Sequence, residues 1–298
     1  MKPSRFSYHR PSSVAEAVTT LRAHHGAARV LAGGQSLTPM LNMRLWRPEA
    51  LVDINDIAEL DHVDIDGERT VLGALTRYTT VERSELLSRR LPLLVEMVGH
   101  IGDRQVRNRG TVGGALVHAD PTGEVLLACL VLEATVVVAG AEGQRRVRVA
   151  DLYEGAYSTV LAADEMVVAI EFDRSPTHHA FGEICRKHHD FAIVSVAVCG
   201  DLAADGTWHD IRVGLGGVAD TALRLTGAET LLTGGTLTDQ EITAAAALAP
   251  DAIDPPDDIR ASADYRRHLT PIQIERVLRE LRRRATDQQI DITRAGAL

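Results

Sequence analysis

The chain has 298 residues, 45% of them hydrophobic, and a formal net charge of -9. That length supports a sizeable buried core and makes two domains of ordinary size the natural expectation, while the interspersed charges exclude a nucleic-acid partner, which needs a concentrated basic face. No run of about 18 apolar residues is present to span a bilayer, and the opening MKPSRFSYHRPSS lacks the apolar stretch of a secretory signal, so a soluble cytoplasmic protein is expected.

Residues 11–26 open with Pro and Ser, repeat Val14, Ala17, Val18 and Leu21 at helical spacing and stop at Gly26, which predicts a capped amphipathic helix. A short apolar strand over 28–34 follows, ending in Gly33 and Gly34, and SLTPMLNMRL after it reads as the first turns of a helix or a tight loop. EALVDIND, TVLGALT and ATVVVAGA are β-branched runs bounded by turn residues, and VERSELLSRRLPLLVEMVGHIG carries helical periodicity. The stretch from Asp151 to Arg174 reads as a loop or short helix, a turn at Ala163-Asp164 and a strand. From about residue 175 the pattern changes to the strands AIVSVAVCGDL and DIRVGLGGVA, then helices over 222–233, 238–249 and 262–287. A domain boundary is placed near Ser175-Pro176, and no internal repeat or low-complexity tract is visible.

Two glycine-rich segments carry the chemistry. In Leu31-Ala32-Gly33-Gly34-Gln35-Ser36-Leu37, glycines that follow a strand let the backbone approach a ligand closely. Successive N–H groups there, with Gln35 and Ser36 as side-chain donors, suit a pyrophosphate, and a purely structural Gly-Gly turn is the other reading. The motif is neither G-x-G-x-x-G nor a Walker A loop. The second segment, Ile101 to Glu124, places Gly110, Gly113 and Gly114 within five positions and reads as a poor helix and a poor strand. It is either a second backbone cradle or a long surface loop closed by Arg–Asp contacts.

AGGQSLTPMLNMRLWRPEALVDIN, the VRNRGTVGG core with its following ADP, and the ending SADYRRHL together resemble the FAD-binding subunit of molybdenum hydroxylases over nearly the whole chain. The closest resemblance is to the medium subunit of aerobic carbon monoxide dehydrogenase, with the flavin domain of xanthine dehydrogenase as a more distant relative. The resemblance implies an α+β protein: a two-subdomain FAD-binding fold of the PCMH/vanillyl-alcohol-oxidase type over 1–175, split near 60, then a smaller α+β C-terminal domain over 176–298 of the carbon monoxide dehydrogenase flavoprotein type. It implies FAD with its pyrophosphate on Ala32 to Leu37, after Leu31, and further contacts from Ile101, Thr111, Gly114, His118, Asp120 and Glu124. Met166 and Val167 are implied near the adenine, and Phe191 beside the isoalloxazine ring; plain core packing is the other reading of Phe191. The chain departs from the family in two places. Glu183-Ile184-Cys185 precedes Arg186-Lys187 where basic residues are common, and Ala115-Leu116-Val117-His118 follows the second glycine pair where many relatives have a polar residue first.

The three cysteines, Cys129, Cys185 and Cys199, are widely spaced and show no cluster or zinc spacing, so any iron–sulfur relay must lie in other chains. Cys185 and Cys199 are read as inert thiols rather than redox groups, and Gly214 to Val218 as a structural turn. The histidine pairs at 24–25, 178–179 and 188–189 are read as solvated side chains, with no metal assigned. SADYRRHLTPIQIERVLRELRRR begins with a Ser cap and presents Ile272, Ile274, Val277, Leu278 and Leu281 on one face and arginines on the other. It is read as a helix covering the second domain, with partner docking by its basic side as the alternative.

A bound flavin joins one-electron and two-electron chemistry. The resemblance implies partners: a small subunit with two [2Fe-2S] clusters and a large subunit with molybdenum and molybdopterin, two copies of each subunit making a heterohexamer, and an external electron acceptor. No catalytic residue is assigned, because substrate oxidation falls to another chain. A free-standing FAD oxidase or reductase and a non-catalytic scaffold are the competing classes; the first needs a substrate pocket over the ring, and the second binds no flavin.

Overall fold

The computed structural model describes residues 2–295, with side chains described through residue 288. Helices and strands mix throughout, as an α+β protein requires, and the chain divides into two compact units. The first takes the chain up to Arg90 together with Ile101–Asp120 and Glu133–Arg174; the second takes Leu91–His100, Pro121–Leu132 and the described chain from Ser175 onward.

The first unit holds two sheets. Strands Ser7–His9, Ala50–Asp53 and Ala28–Leu31 form a parallel sheet in that spatial order, which leaves Ala28–Leu31 as an edge strand. The other sheet is antiparallel, in the order Val63–Asp66, Arg69–Gly73, Met166–Phe172, Thr135–Gly140 and Gly143–Arg148. One core joins them: Ala17, Val18 and Leu21 of helix Val14–Ala23 pack with Val52, Ile54, Leu75, Val137 and Met166. That helix begins where the sequence signals it, with the Ser13 hydroxyl accepting from the Glu16 N–H.

The second unit is built on an antiparallel sheet ordered His178–Ile184, Val194–Leu202, Trp208–Gly216 and Leu223–Arg224. Helices Thr226–Leu232 and Asp239–Ala246 and the long helix Ala263–Ala295 bury their apolar faces in its core, among them Ile274, Val277, Leu278 and Leu281. Helix Glu124–Val131 is buried from Val125 onward, because Gly214 has no side chain to keep Val131 and Leu127 away.

Several expectations are corrected. The periodic stretch 81–102 contributes to three helices, Tyr78–Arg83, Glu85–Arg90 and Pro92–Val98, interrupted at the extended Ser84 and before Pro92, whose ring disfavours helix at Leu91. Residues 101–124 are not irregular. Asp103 caps helix Arg104–Arg109 by accepting from the Val106 N–H at 2.9 Å, and Thr111 caps Val112–His118 by accepting from the Gly114 N–H at 3.1 Å. Between Asp151 and Arg174 a small hairpin, Tyr153–Gly155 with Ser158–Thr159, stands in place of a short helix. Gly214 and Gly216 lie inside a strand, and only Gly217, with φ +75°, makes the turn.

Several described arginines of the long helix are paired within its own unit. Arg279 and Arg282 both reach Asp239, at 3.3 and 3.0 Å, and Arg284 reaches Glu96 at 2.7 Å. Their charge is spent inside the unit, which argues against docking through a free basic face. In the SADYRRHL segment, Arg266 is 1% exposed and donates to the carbonyls of Ile193 and Gly217, tying the helix start to the sheet.

Candidate functional site: a cavity between two glycine segments

A cavity of about 500 Å³ lies within the first unit. That is inside the range of about 300–1,000 Å³ usual for small-molecule sites. Its floor is Ala32 to Leu37, which leaves the edge strand and runs into helix Leu37–Asn42. Gly34 sits at φ +73°, a conformation that favours glycine. Among the described residues, the backbone N–H groups of Gly33, Gly34, Gln35 and Ser36 have no protein acceptor, and the Ser36 hydroxyl makes no cap bond. Consecutive uncommitted amides facing a cavity form a ready anion cradle. Gln35 folds back instead, its side-chain nitrogen donating to the Gly33 carbonyl at 3.2 Å, so it braces the turn.

The opposing wall is Gly110, Thr111, Gly113 and Gly114. Here the amides are committed: Val112 donates to Thr76, Gly113 to Ala74 and Gly114 to the Thr111 hydroxyl. The second glycine segment is therefore a close-packing device rather than a second cradle. A Cβ on Gly113 would meet Ala74 at 2.7 Å, and one on Gly33 would collide with the Arg109 carbonyl. Glycine at 33 lets the two segments touch, and glycine at 113 lets the second lie against Ala74.

The lining also includes Gly26, Ala28 and Val30 of the edge strand and its approach, with Trp46, Met166 and Val167. Arg29 lies 4.6 Å over the Trp46 ring. Val117, His118 and Tyr157 line the cavity too. The His118 and Tyr157 rings are 5.2 Å apart, and the Tyr157 hydroxyl donates to Asp120 at 3.4 Å. Burial lowers the His118 pKa, with Asp120 opposing, which favours the neutral ring. Among the described residues Arg29 is the one arginine lining the cavity and no lysine does, so the positive potential there comes mainly from backbone N–H groups.

The structure thus brings together Ala32, Gly33, Gly34, Gln35, Ser36, Leu37, Thr111, Gly114, His118, Met166 and Val167. Leu31, Ile101 and Asp120 lie in the same unit outside the lining; Glu124 and Phe191 belong to the second unit. Phe191 is not core: it is 52% exposed, with the Arg260 guanidinium 4.5 Å over its ring. Sequence reading missed Arg29, Trp46 and Tyr157; Trp46 lies within the quoted segment 32–55 but carries no assigned role there, and Arg29 and Tyr157 stand outside the glycine segments. The thiols are unreactive in character: burial pushes Cys199 up to about 12, and burial with nearby Glu183 pushes Cys185 up to about 12.

A run of uncommitted amides in a cavity with apolar and aromatic lining is the arrangement of a nucleotide-binding site. Comparison with known proteins identifies which kind. The profile of the FAD binding domain in molybdopterin dehydrogenase matches residues 4–174, and that of the CO dehydrogenase flavoprotein C-terminal domain matches residues 179–281. The chain is 38% identical to the carbon monoxide dehydrogenase medium chain of Hydrogenophaga pseudoflava, covering 93% of this chain and 97% of that one. It is 35% identical to the 6-hydroxypseudooxynicotine dehydrogenase complex subunit alpha of Paenarthrobacter nicotinovorans, over 98% and 100%. Quinoline 2-oxidoreductase from Pseudomonas putida 86 superposes with TM-score 0.91 at 33% identity, over 96% of this chain and 99% of that one. The chain belongs to the FAD-binding medium subunits of molybdenum hydroxylases, and it is the flavoprotein part of an oxidoreductase. No described helix is long and apolar enough to cross a membrane.

Proposed function

We propose that this chain is the electron relay of a cytoplasmic molybdenum hydroxylase, taking electrons from the [2Fe-2S] clusters of a small partner subunit. A large subunit carrying molybdenum and molybdopterin oxidises the substrate, and a quinone, oxygen, NAD or another external acceptor takes the electrons away. Two copies of each subunit make the heterohexamer. The bound flavin supplies the exchange between one-electron and two-electron transfer. This chain's own residues bind and orient it. The amides of Ala32 to Leu37, after Leu31, cradle the pyrophosphate, and Met166 and Val167 flank the adenine. Ile101, Thr111, Gly114, His118, Asp120 and Glu124 add contacts, and Phe191 stands beside the isoalloxazine ring.

The observation that carries this reading is the run of four uncommitted amides, Gly33 to Ser36, on the floor of a cavity in a chain of this family. The test is co-expression with the neighbouring subunits and affinity purification of this chain. Co-purification of two partners with about one FAD per copy of this chain, and bleaching of the flavin band when the complex is given its substrate, is the expected result. A complex that turns over with the flavin fully oxidised throughout would contradict the relay role.

A further inference from the structure

Behind the two glycine segments, on residues that do not line the cavity, a hydrogen-bonded clip joins one segment to the other. Asn55 follows the strand Ala50–Asp53, and its side-chain nitrogen donates to the carbonyl of Ala32 at 2.9 Å and to Asp53 at 2.5 Å. Its side-chain oxygen accepts from one terminal nitrogen of Arg77 at 2.5 Å. The other terminal nitrogen of Arg77 donates to the carbonyl of Arg109 at 2.5 Å. Asp53 is 8% exposed and is fixed from the far side by the Tyr8 hydroxyl. The backbone around Arg77 adds to the join, since Tyr78 donates to the Gly110 carbonyl at 3.1 Å and Val112 to the Thr76 carbonyl at 3.1 Å.

We infer that Asn55 and Arg77 are positioning residues for the dinucleotide, acting through the backbone of both glycine segments; this rests on the reading of the cavity as the FAD site. A trans peptide holds its C=O and the next N–H on opposite sides. With the Ala32 carbonyl held by Asn55, the Gly33 N–H points away from the clip, and it is one of the uncommitted amides of the cradle. Arg77 performs the same service for the Arg109 carbonyl, the atom that Gly33 must approach without a side chain. A guanidinium is needed because its planar fork reaches two acceptors from one side chain, which an ammonium on a single nitrogen does less well. Burial, with Arg109 nearby, lowers the Arg77 pKa from its ordinary value, but a guanidinium stays charged at neutral pH, so both bonds are charge-assisted.

The test uses the full chain, stripped of flavin and titrated with FAD, and compares wild type with Arg77→Lys, Arg77→Ala and Asn55→Ala. Each variant is expected to bind FAD about tenfold or more weakly, the loss of roughly one charge-assisted hydrogen bond. Phosphorus NMR of the FAD that still binds is expected to show shifted pyrophosphate resonances, and methylguanidinium is expected to restore affinity to Arg77→Ala while leaving Asn55→Ala unaffected. Melting of the flavin-free chain separates positioning from folding. If affinity falls only in step with lost stability and the phosphorus resonances do not move, or if Arg77→Lys binds FAD like wild type, the inference is overturned while the FAD reading stands. If wild type itself takes up no FAD, the FAD reading fails and this inference falls with it.

Discussion

Gly33 and the carbonyl oxygen of Arg109, far apart in the chain, meet so closely that a methyl group has no room between them. The contact locks the cradle segment to the opposite wall of the cavity, so its consequence is functional as well as structural. Gly33→Ala is expected to push the two segments apart and weaken FAD binding roughly 10- to 100-fold, the cost of a backbone clash of a few kcal/mol. Calorimetric titration of the stripped chain checks it; unchanged affinity would show that the contact does not set the site.

Trp46 offers a direct optical report. The chain has two tryptophans, and Trp208 is 2% exposed in the core of the second unit, whereas Trp46 lines the cavity. In a Trp208→Phe chain, emission from Trp46 is expected to fall steeply as FAD is added and to saturate near one equivalent. Emission that ignores FAD would remove Trp46 from the site.

Phe191 carries its weight at the surface. Because it is 52% exposed, Phe191→Ala is expected to change unfolding free energy by less than about 0.5 kcal/mol. If Phe191 stands beside the isoalloxazine ring as proposed, the visible band of the bound flavin shifts in the same variant. A large drop in melting temperature with no spectral change would return Phe191 to a packing role.

Glu96 sets an acid limit on the second unit. Burial opposes its charge, yet hydrogen bonds from Arg284 and His179 hold its carboxyl down at about 2, against an ordinary value of 4.5. A depressed acid stabilises the fold above its unfolded pKa and loses that contribution as pH falls through the folded one. Stability is therefore expected to decline between pH 4.5 and about 2. Glu96→Gln should cost roughly 2 kcal/mol at neutral pH and flatten that decline. Denaturant titrations of both chains across this window check it, and parallel curves would contradict the assignment.

Much of this arrangement was legible from residues alone, because the features concerned are local. A strand running into Gly33-Gly34 states its own geometry, and the Ser13 cap and the apolar spacing after it mark the first helix. Residues 101–124 misled because Gly and Asn are weak evidence for helix, whereas two short helices there start at the local caps Asp103 and Thr111, and Gly113 packs on Ala74, a contact made with distant chain. The same reason hid Asn55 and Arg77. Asn55 only closes the quoted segment that begins at Ala32, Arg77 lies in no motif, and the importance of both lies in carbonyls they reach across 23 and 32 residues of sequence. Docking by the basic side of the last helix stood as an alternative because the carboxylates that pair with Arg279, Arg282 and Arg284, Asp239 and Glu96, lie elsewhere in the chain.

The most direct test is the flavin content of the purified full chain, read from its absorption spectrum and from chromatography of the cofactor released on denaturation, with added FAD as a control. About one FAD per chain, lost or much weakened in Gly33→Ala, is the predicted result. A chain that neither carries FAD nor takes it up, alone or co-expressed with its partner subunits, would contradict the assignment of the cavity.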